Sequence, residues 1–251
     1  MSITVSAKTS RGVARDINQD NYGYLNNIDD VNINLIAVVA DGLGGLANGD
    51  IASKTAVDMF LEAYKNTNNS QPITQENLIT LFSQINNYVY DSGISGESMH
   101  QNPRDPSMAT TLSTVIISEK SIKICHIGDS RIYLYRNNSL SRFTIDHSWV
   151  AEAIQSGKLT EEEAHIHPMR NIVTQVIGSP RTIRPFYLES EIFDNDRIIL
   201  CTDGIHGTLT DNEISEVIND NDSKDMLLNS LFAKAQLNGS TDDMTAIVID
   251  L

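Results

Sequence analysis

Cysteine is scarce in this sequence: Cys125 and Cys201 are the only two in 251 residues, and no C-x-x-C pair occurs. A thiolate zinc site is thereby excluded, and both thiols, each inside an apolar run, read as buried and free. Long apolar runs are missing too. The longest, around Leu35 to Ala40, is the length of a strand, so no transmembrane helix is expected. The start, Met1-Ser2-Ile3-Thr4, lacks the basic residues and apolar centre of a secretory signal, and the expected location is the cytoplasm. Positive charge is in short supply: 18 Lys and Arg stand against 33 Asp and Glu, for a net charge of −15. Such a surface repels nucleic-acid backbone and anionic membrane, which argues against both as main partners. No G-K-[ST] follows a glycine-rich run, so there is no P-loop.

What is present suffices for one sizeable core, at 40% hydrophobic content. Ile3 to Lys8 alternates as a half-buried strand does, and Ile33 to Val39 reads as a strand buried on both faces. Helices are expected from Gly49 to Lys65 and around Leu78 to Val89, on the spacing of their apolar residues. Ser92 to Pro106 is polar and reads as a loop. Four short strands follow: Thr111–Ser118, Ser121–Ile127, Arg131–Arg136 and Ser139–Phe143, with turn centres at Glu119-Lys120 and Asn137-Asn138. Strands so closely spaced pair antiparallel. Short helices at Trp149–Gln155 and Glu161–His165, a strand at Arg197–Thr202, helices at Asp211–Asn219 and Lys224–Leu237, and a strand at Met244–Ile249 complete the chain. With no internal repeat and no linker, the expectation is one domain over residues 1–251. Its fold class is α+β, antiparallel sheets packed together with helices outside.

Acids recur where buried strands end. Asp41-Gly42 and Asp203-Gly204 each close an apolar run, Asp129 lies between two strands, and Asp242 stands just before one. Asp20 follows Arg15 near the N-terminus. Any one of these Asp residues is explained as a turn former. As a group at converging strand ends, however, they must take up protons or be neutralised by a cation. Oxygen donors without thiolates suit Mg²⁺ or Mn²⁺, and two such ions about 3.5–4 Å apart can activate a water for attack on phosphorus. Arg15 carries the planar fork that grips phosphate oxygens; its alternative is a structural ion pair.

From Arg11 to Ile249 the chain resembles the PP2C family of metal-dependent serine/threonine phosphatases, above all its bacterial single-domain members. The motifs that carry the resemblance stand in the family's order: Gly12-x-x-Arg15-x-x-Asn18-Gln19-Asp20, Ala40-Asp41-Gly42-Leu43-Gly44-Gly45, Ala109-Thr110-Thr111 and Ile127-Gly128-Asp129-Ser130-Arg131. Thr144-x-Asp146-His147-Ser148, His167-Pro168, Leu200-Cys201-Thr202-Asp203-Gly204 and Asp242-Asp243-Met244-Thr245 follow. The resemblance implies a β-sandwich of two antiparallel sheets flanked by helices, with two Mn²⁺ or Mg²⁺ ions at one end and a third, weaker site. It implies that Asp41 bridges the two metals, that the Gly42 carbonyl binds the second, and that Asp203 and Asp242 complete the shell of the first. Asp20 then acts at the second metal, Asp129 with Asp203 at the third, and Arg15 on the phosphate. The implied reaction is hydrolysis of phosphoserine or phosphothreonine by a dimetal-activated water, opposing a Ser/Thr kinase, in a monomer. The segment 148–180 corresponds to the family's flap, where substrate choice is expected to lie.

The sequence departs from the family pattern at four positions. Gln19 stands where many relatives have Glu, Leu43 replaces the histidine proposed as general acid in animal relatives, Asp243 replaces Asn, and Ala109 replaces Gly. Rival readings are a phosphoprotein-binding pseudophosphatase and a phosphatase of small metabolites. Gly42-x-Gly44-x-x-Ala47 also fits a dinucleotide fingerprint, but hairpin strands follow it rather than βαβ units. His126 reads as a core histidine, His147 as a member of a local hydrogen-bond network, and His165 and His167 as flap-surface residues. Trp149 reads as part of a helix packing face.

Overall fold

The computed structural model describes residues 3–26, 33–43, 48–65, 73–95, 108–118, 120–179 and 182–251. Gly44, Gly45, Ala47, Glu119 and most of the expected loop before Pro106 lie outside these. Ten strands are described: β1 Thr4–Ser10, β2 Asp20–Asn26, β3 Leu35–Asp41, β4 Leu112–Ser118, β5 Ser121–Ile127, β6 Arg131–Arg136, β7 Ser139–Arg142, β8 Phe186–Glu191, β9 Arg197–Cys201 and β10 Met244–Asp250. Seven helices accompany them: α1 Gly49–Lys65, α2 Gln75–Ser95, α3 Trp149–Gln155, α4 Glu161–His165, α5 Asp203–His206, α6 Asp211–Asn219 and α7 Lys224–Leu237. Among the described residues no helix is long and apolar enough to cross a membrane.

The strands form two antiparallel five-stranded sheets, β1-β10-β9-β6-β7 and β2-β3-β4-β5-β8. Side chains alternate across a strand, so the continuous apolar runs serve two cores at once. On β3, Leu35, Ala37 and Val39 face the core between the sheets, where they meet Ile198, Leu200, Ile247 and Ile249. Ile36, Val38 and Ala40 face the other way, against Phe60 of α1 and Phe82 and Ile85 of α2. On the far sheet, Ile199, Cys201, Ala246 and Val248 pack on Leu227, Leu231 and Phe232 of α7. This is a four-layer α-β-β-α sandwich. Each fully buried Leu, Ile or Val contributes about 1.5–3 kcal/mol, which is why the central strands are apolar on both faces. Both cysteines are buried and free.

Three elements were not foreseen. β2 (Asp-Asn-Tyr-Gly-Tyr-Leu-Asn) has poor strand propensity and is held by its full pairing with β3. β8 is an edge strand on β5, and α5 is a single turn. The expected loop beginning at Ser92 is corrected: α2 runs to Ser95. The turn at Asn137-Asn138 is a two-residue hairpin with both residues at positive φ, 51° and 59°, the twist that matches flanking strands.

Antiparallel register gathers the acidic strand ends at one pole. Asp20 opens β2 opposite Asp41, which closes β3. Leu112 opposite Ile127 brings the β5–β6 turn, with Asp129, to the same end. That turn crosses to the second sheet, where Arg131 is opposite Cys201 and Cys201 is opposite Ala246. The end of β9 and the start of β10, with Asp203 and Asp242, therefore arrive at this pole as well.

Candidate metal centre

Asp20 is buried, and its Oδ2 accepts from the Thr202 hydroxyl at 2.8 Å. Its Oδ1 is buried without a hydrogen-bond partner. Burial pushes its carboxyl up to about 8, against the pull of nearby threonine hydroxyls, and the charges of Asp203 and Asp243 add to the rise. Asp41 is tied down through its backbone. Its N–H donates to Thr111 Oγ1 at 2.9 Å, and its carbonyl accepts from Thr111 N–H at 2.8 Å and from the Thr110 hydroxyl at 2.9 Å. The Asp41 carboxyl is held well above the ordinary range, by burial first and then by Asp203, Asp20 and Asp129.

Asp203 begins α5 directly after Thr202. Burial and then the Asp242 charge raise its carboxyl, while the nearby Arg15 guanidinium pulls the other way. Asp129, 8% exposed, sits in the β5–β6 turn and is pushed well up by burial and then by Asp203 and Asp146. Asp242 is engaged differently. Both its oxygens accept from Arg15, Nε and NH2, each at 2.7 Å, and Oδ1 also accepts from the Asp243 N–H at 2.8 Å. This bidentate pair raises the Arg15 guanidinium further still. Arg15 thus stands at the site in the ion pair that was its alternative reading. Gly42 donates its N–H to the Gln19 carbonyl and bridges to Thr110.

Asp243, noted in the sequence only as a departure, anchors the loop that carries Arg15. Its two carboxylate oxygens accept from the N–H groups of Gly12 at 2.8 Å and Gln19 at 2.7 Å. A Cβ at Gly204 would stand 1.9 Å from the Asp243 carbonyl oxygen, so only glycine lets α5 approach β10 this closely. Beneath the site Arg131 grips Asp146 through Nε and NH2, at 3.0 and 2.7 Å. His126 is a core histidine, its Nδ1 2.7 Å from the Ser113 hydroxyl, and burial drives it down to about 3. The Thr202, Thr110 and Thr111 supports were quoted in motifs without a role; nothing in a linear reading shows which acid a hydroxyl will face.

A family model for protein phosphatase 2C matches residues 9–245. The chain belongs to the protein phosphatase 2C family. It is 31% identical to the serine/threonine phosphatase stp of Listeria welshimeri over 245 residues, 97% of this chain and 94% of that protein. Its identity to protein phosphatase PhpP of Streptococcus pneumoniae is 30% over 251 residues, 98% of this chain and 97% of the other. In fold it is similar to the crystal structure of serine/threonine phosphatase Stp1 from Staphylococcus aureus, with a TM-score of 0.90 and 28% identity, covering 100% of this chain and 96% of that one.

Among the described residues no three His, Cys, Asp or Glu side chains form a ready cage around one point. The donor set of this PP2C chain nonetheless fits a divalent cation. It offers only oxygens, it leaves Asp20 Oδ1 unsatisfied in the interior, and three of its carboxyls are pushed upward, by burial first and also by the charge of Asp203. Arg15 already satisfies both oxygens of Asp242.

Proposed function

We propose that Asp20, Asp41, Asp129, Asp203, Asp242 and the Gly42 carbonyl hold Mn²⁺ or Mg²⁺ at the pole of the sandwich, two ions per site with a third, weaker one, and that Arg15 holds the phosphoryl group. The protein is a metal-dependent serine/threonine protein phosphatase, as its family membership and its similarity to such phosphatases along nearly the whole chain establish. A cation held there would lower the pKa of water toward neutrality and shield the phosphoryl charge. Asp41, Asp203 and Asp242 would hold it as carboxylates, and the Arg15 guanidinium fork would hold the phosphoryl oxygens. Leu43 carries no transferable proton, so the leaving serine or threonine oxygen takes its proton from water. The substrates are phosphoproteins made by a Ser/Thr kinase, and the chain acts as one cytoplasmic monomeric domain with 148–180 as its flap.

One observation carries the site assignment: the buried, partnerless Oδ1 of Asp20 faces a pole to which the strand register brings four further aspartates. Asp203→Asn is expected to abolish Mn²⁺-dependent hydrolysis of a phosphothreonine peptide and to weaken Mn²⁺ binding in calorimetry. Arg15→Ala is expected to raise KM about tenfold while shifting stability by under about 1 kcal/mol, since its pair with Asp242 is about one-third exposed. Normal turnover and Mn²⁺ affinity in Asp203→Asn would remove the assignment.

A further inference from the structure

The segment proposed as the flap is fastened at both ends to turns that carry site aspartates. At its far end, Ile177 exchanges two backbone hydrogen bonds with Thr110, at 3.1 and 2.9 Å, and Thr110 in turn donates its hydroxyl to the Asp41 carbonyl. At its near end His147 makes the fastening to the β5–β6 turn. Its N–H donates to the Gly128 carbonyl at 2.7 Å, and its carbonyl accepts from the Thr174 N–H at 2.7 Å. Ser148 bridges to Val173, and Trp149 N–H donates to Ile172. The His147 side chain adds a bond that no backbone group duplicates: Nδ1 accepts from the Gly128 N–H at 3.1 Å. Because Gly128 donates, the ring proton of neutral His147 sits on Nε2. The ring lies parallel to that of His126, with centroids 5.2 Å apart and 10° between the planes, and His126 is itself fixed by Ser113. Gly128 has φ +107°, and a Cβ there would lie 2.5 Å from the Thr111 side chain, so its conformation is tightly determined. The next residue is Asp129.

We propose that His147 is a positioning residue for the phosphatase reaction, its Nδ1 holding the Gly128–Asp129 turn while its backbone carbonyl holds the returning flap segment at Thr174, so that Asp129 keeps its place only while the flap is docked. This rests on the assignment of Asp129 to the metal site. The imidazole has no contact with the reacting atoms; it acts through the turn.

The test uses the full Mn²⁺-loaded chain with His147→Leu, which removes the acceptor, His147→Gln, which moves it outward by one bond, and His147→Asn, whose Oδ1 lies at the same separation from Cβ as Nδ1. Two measurements are taken: kcat and KM for a phosphothreonine peptide, and exchange of the Gly128 and Thr174 amides by NMR on the chain loaded with diamagnetic Mg²⁺ in place of Mn²⁺. His147→Leu and His147→Gln are expected to lose about threefold to tenfold in kcat with KM within twofold, the scale of one hydrogen bond. Gly128 and Thr174 amide exchange should speed up by a similar factor, and His147→Asn should restore both. If His147→Leu or His147→Gln folds and keeps wild-type kcat and Gly128 protection, or if His147→Asn rescues nothing, the proposal is overturned. Asp129→Asn, run alongside, separates the two layers: wild-type kcat there removes the underlying site assignment, whereas a slowed Asp129→Asn beside a normal His147→Leu removes the positioning role alone.

Discussion

Asp20 and Asp41 are direct cross-strand partners, the first residue of β2 paired with the last of β3. Like charges placed opposite one another on a sheet are destabilising. Here burial and then the charge of Asp203 act on both, so without a cation both carboxyls are driven toward binding protons.

This arrangement trades stability for function. Asp41→Asn is expected to raise the melting temperature of EDTA-treated protein by about 2–8 °C, the equivalent of 1–2 kcal/mol in a chain of this size. The same variant is expected to lose Mn²⁺-dependent activity. Thermal unfolding followed by circular dichroism measures it, and an unchanged or lower melting temperature contradicts the repulsion described.

The pH dependence has a definite sign. An acid whose folded pKa lies above its unfolded value stabilises fully below the unfolded value, near 4, and its contribution is lost as pH rises through the folded one. Asp20 rises to about 8, and Asp41 and Asp129 shift the same way. Metal-free protein should therefore lose melting temperature between pH 5 and pH 8, and the increment restored by Mn²⁺ should grow over that window. Titration calorimetry in two buffers of different ionisation enthalpy should show protons released on binding. No release at pH 6.5 would mean that the carboxyls are already ionised.

Asp243 is expected to govern substrate affinity without touching substrate. Asp243→Ala removes the charged acceptor of the Gly12 and Gln19 amides, at a cost of about 2–4 kcal/mol. The Arg15 loop loses its anchor, so KM should rise more than kcat falls. Urea unfolding and steady-state kinetics on a phosphopeptide check both halves; a stable variant with unchanged KM excludes the anchoring role.

Arg131 and Asp146 form a largely buried ion pair, with side chains 18% and 9% exposed. Asp146→Ala leaves the guanidinium without that partner beneath Asp129 and should cost about 3–5 kcal/mol. The partner holds the Asp146 carboxyl below its usual range even against burial, so this contribution is present at neutral pH and fades only in acid. The midpoint of urea denaturation at pH 7 reads the loss. A shift smaller than that of an exposed control such as Asp58→Ala would show that the pair contributes nothing.

The apolar runs of β3, β9 and β10 and the helical stripes of α1 and α2 were legible in the sequence because burial on two faces or one leaves a periodic mark. So were the strand-end aspartates, because Asp-Gly after an apolar run is a local signal. β2 and α5 left no such mark, since one is held by its neighbour and the other is a single turn. Asp243 looked like a stray charge for the same reason: its amide partners lie 231 and 224 residues away.

The sequence by itself determined that four aspartates would close, join or precede buried strands, and that no thiolate would join them. Only the tertiary structure decided that antiparallel register carries those four and Asp20 to one pole, which of them faces which, and that Arg15 rests on Asp242. Local composition specifies an element, but the encounter of side chains more than 200 residues apart is set by strand pairing and sheet packing, which no window of sequence contains.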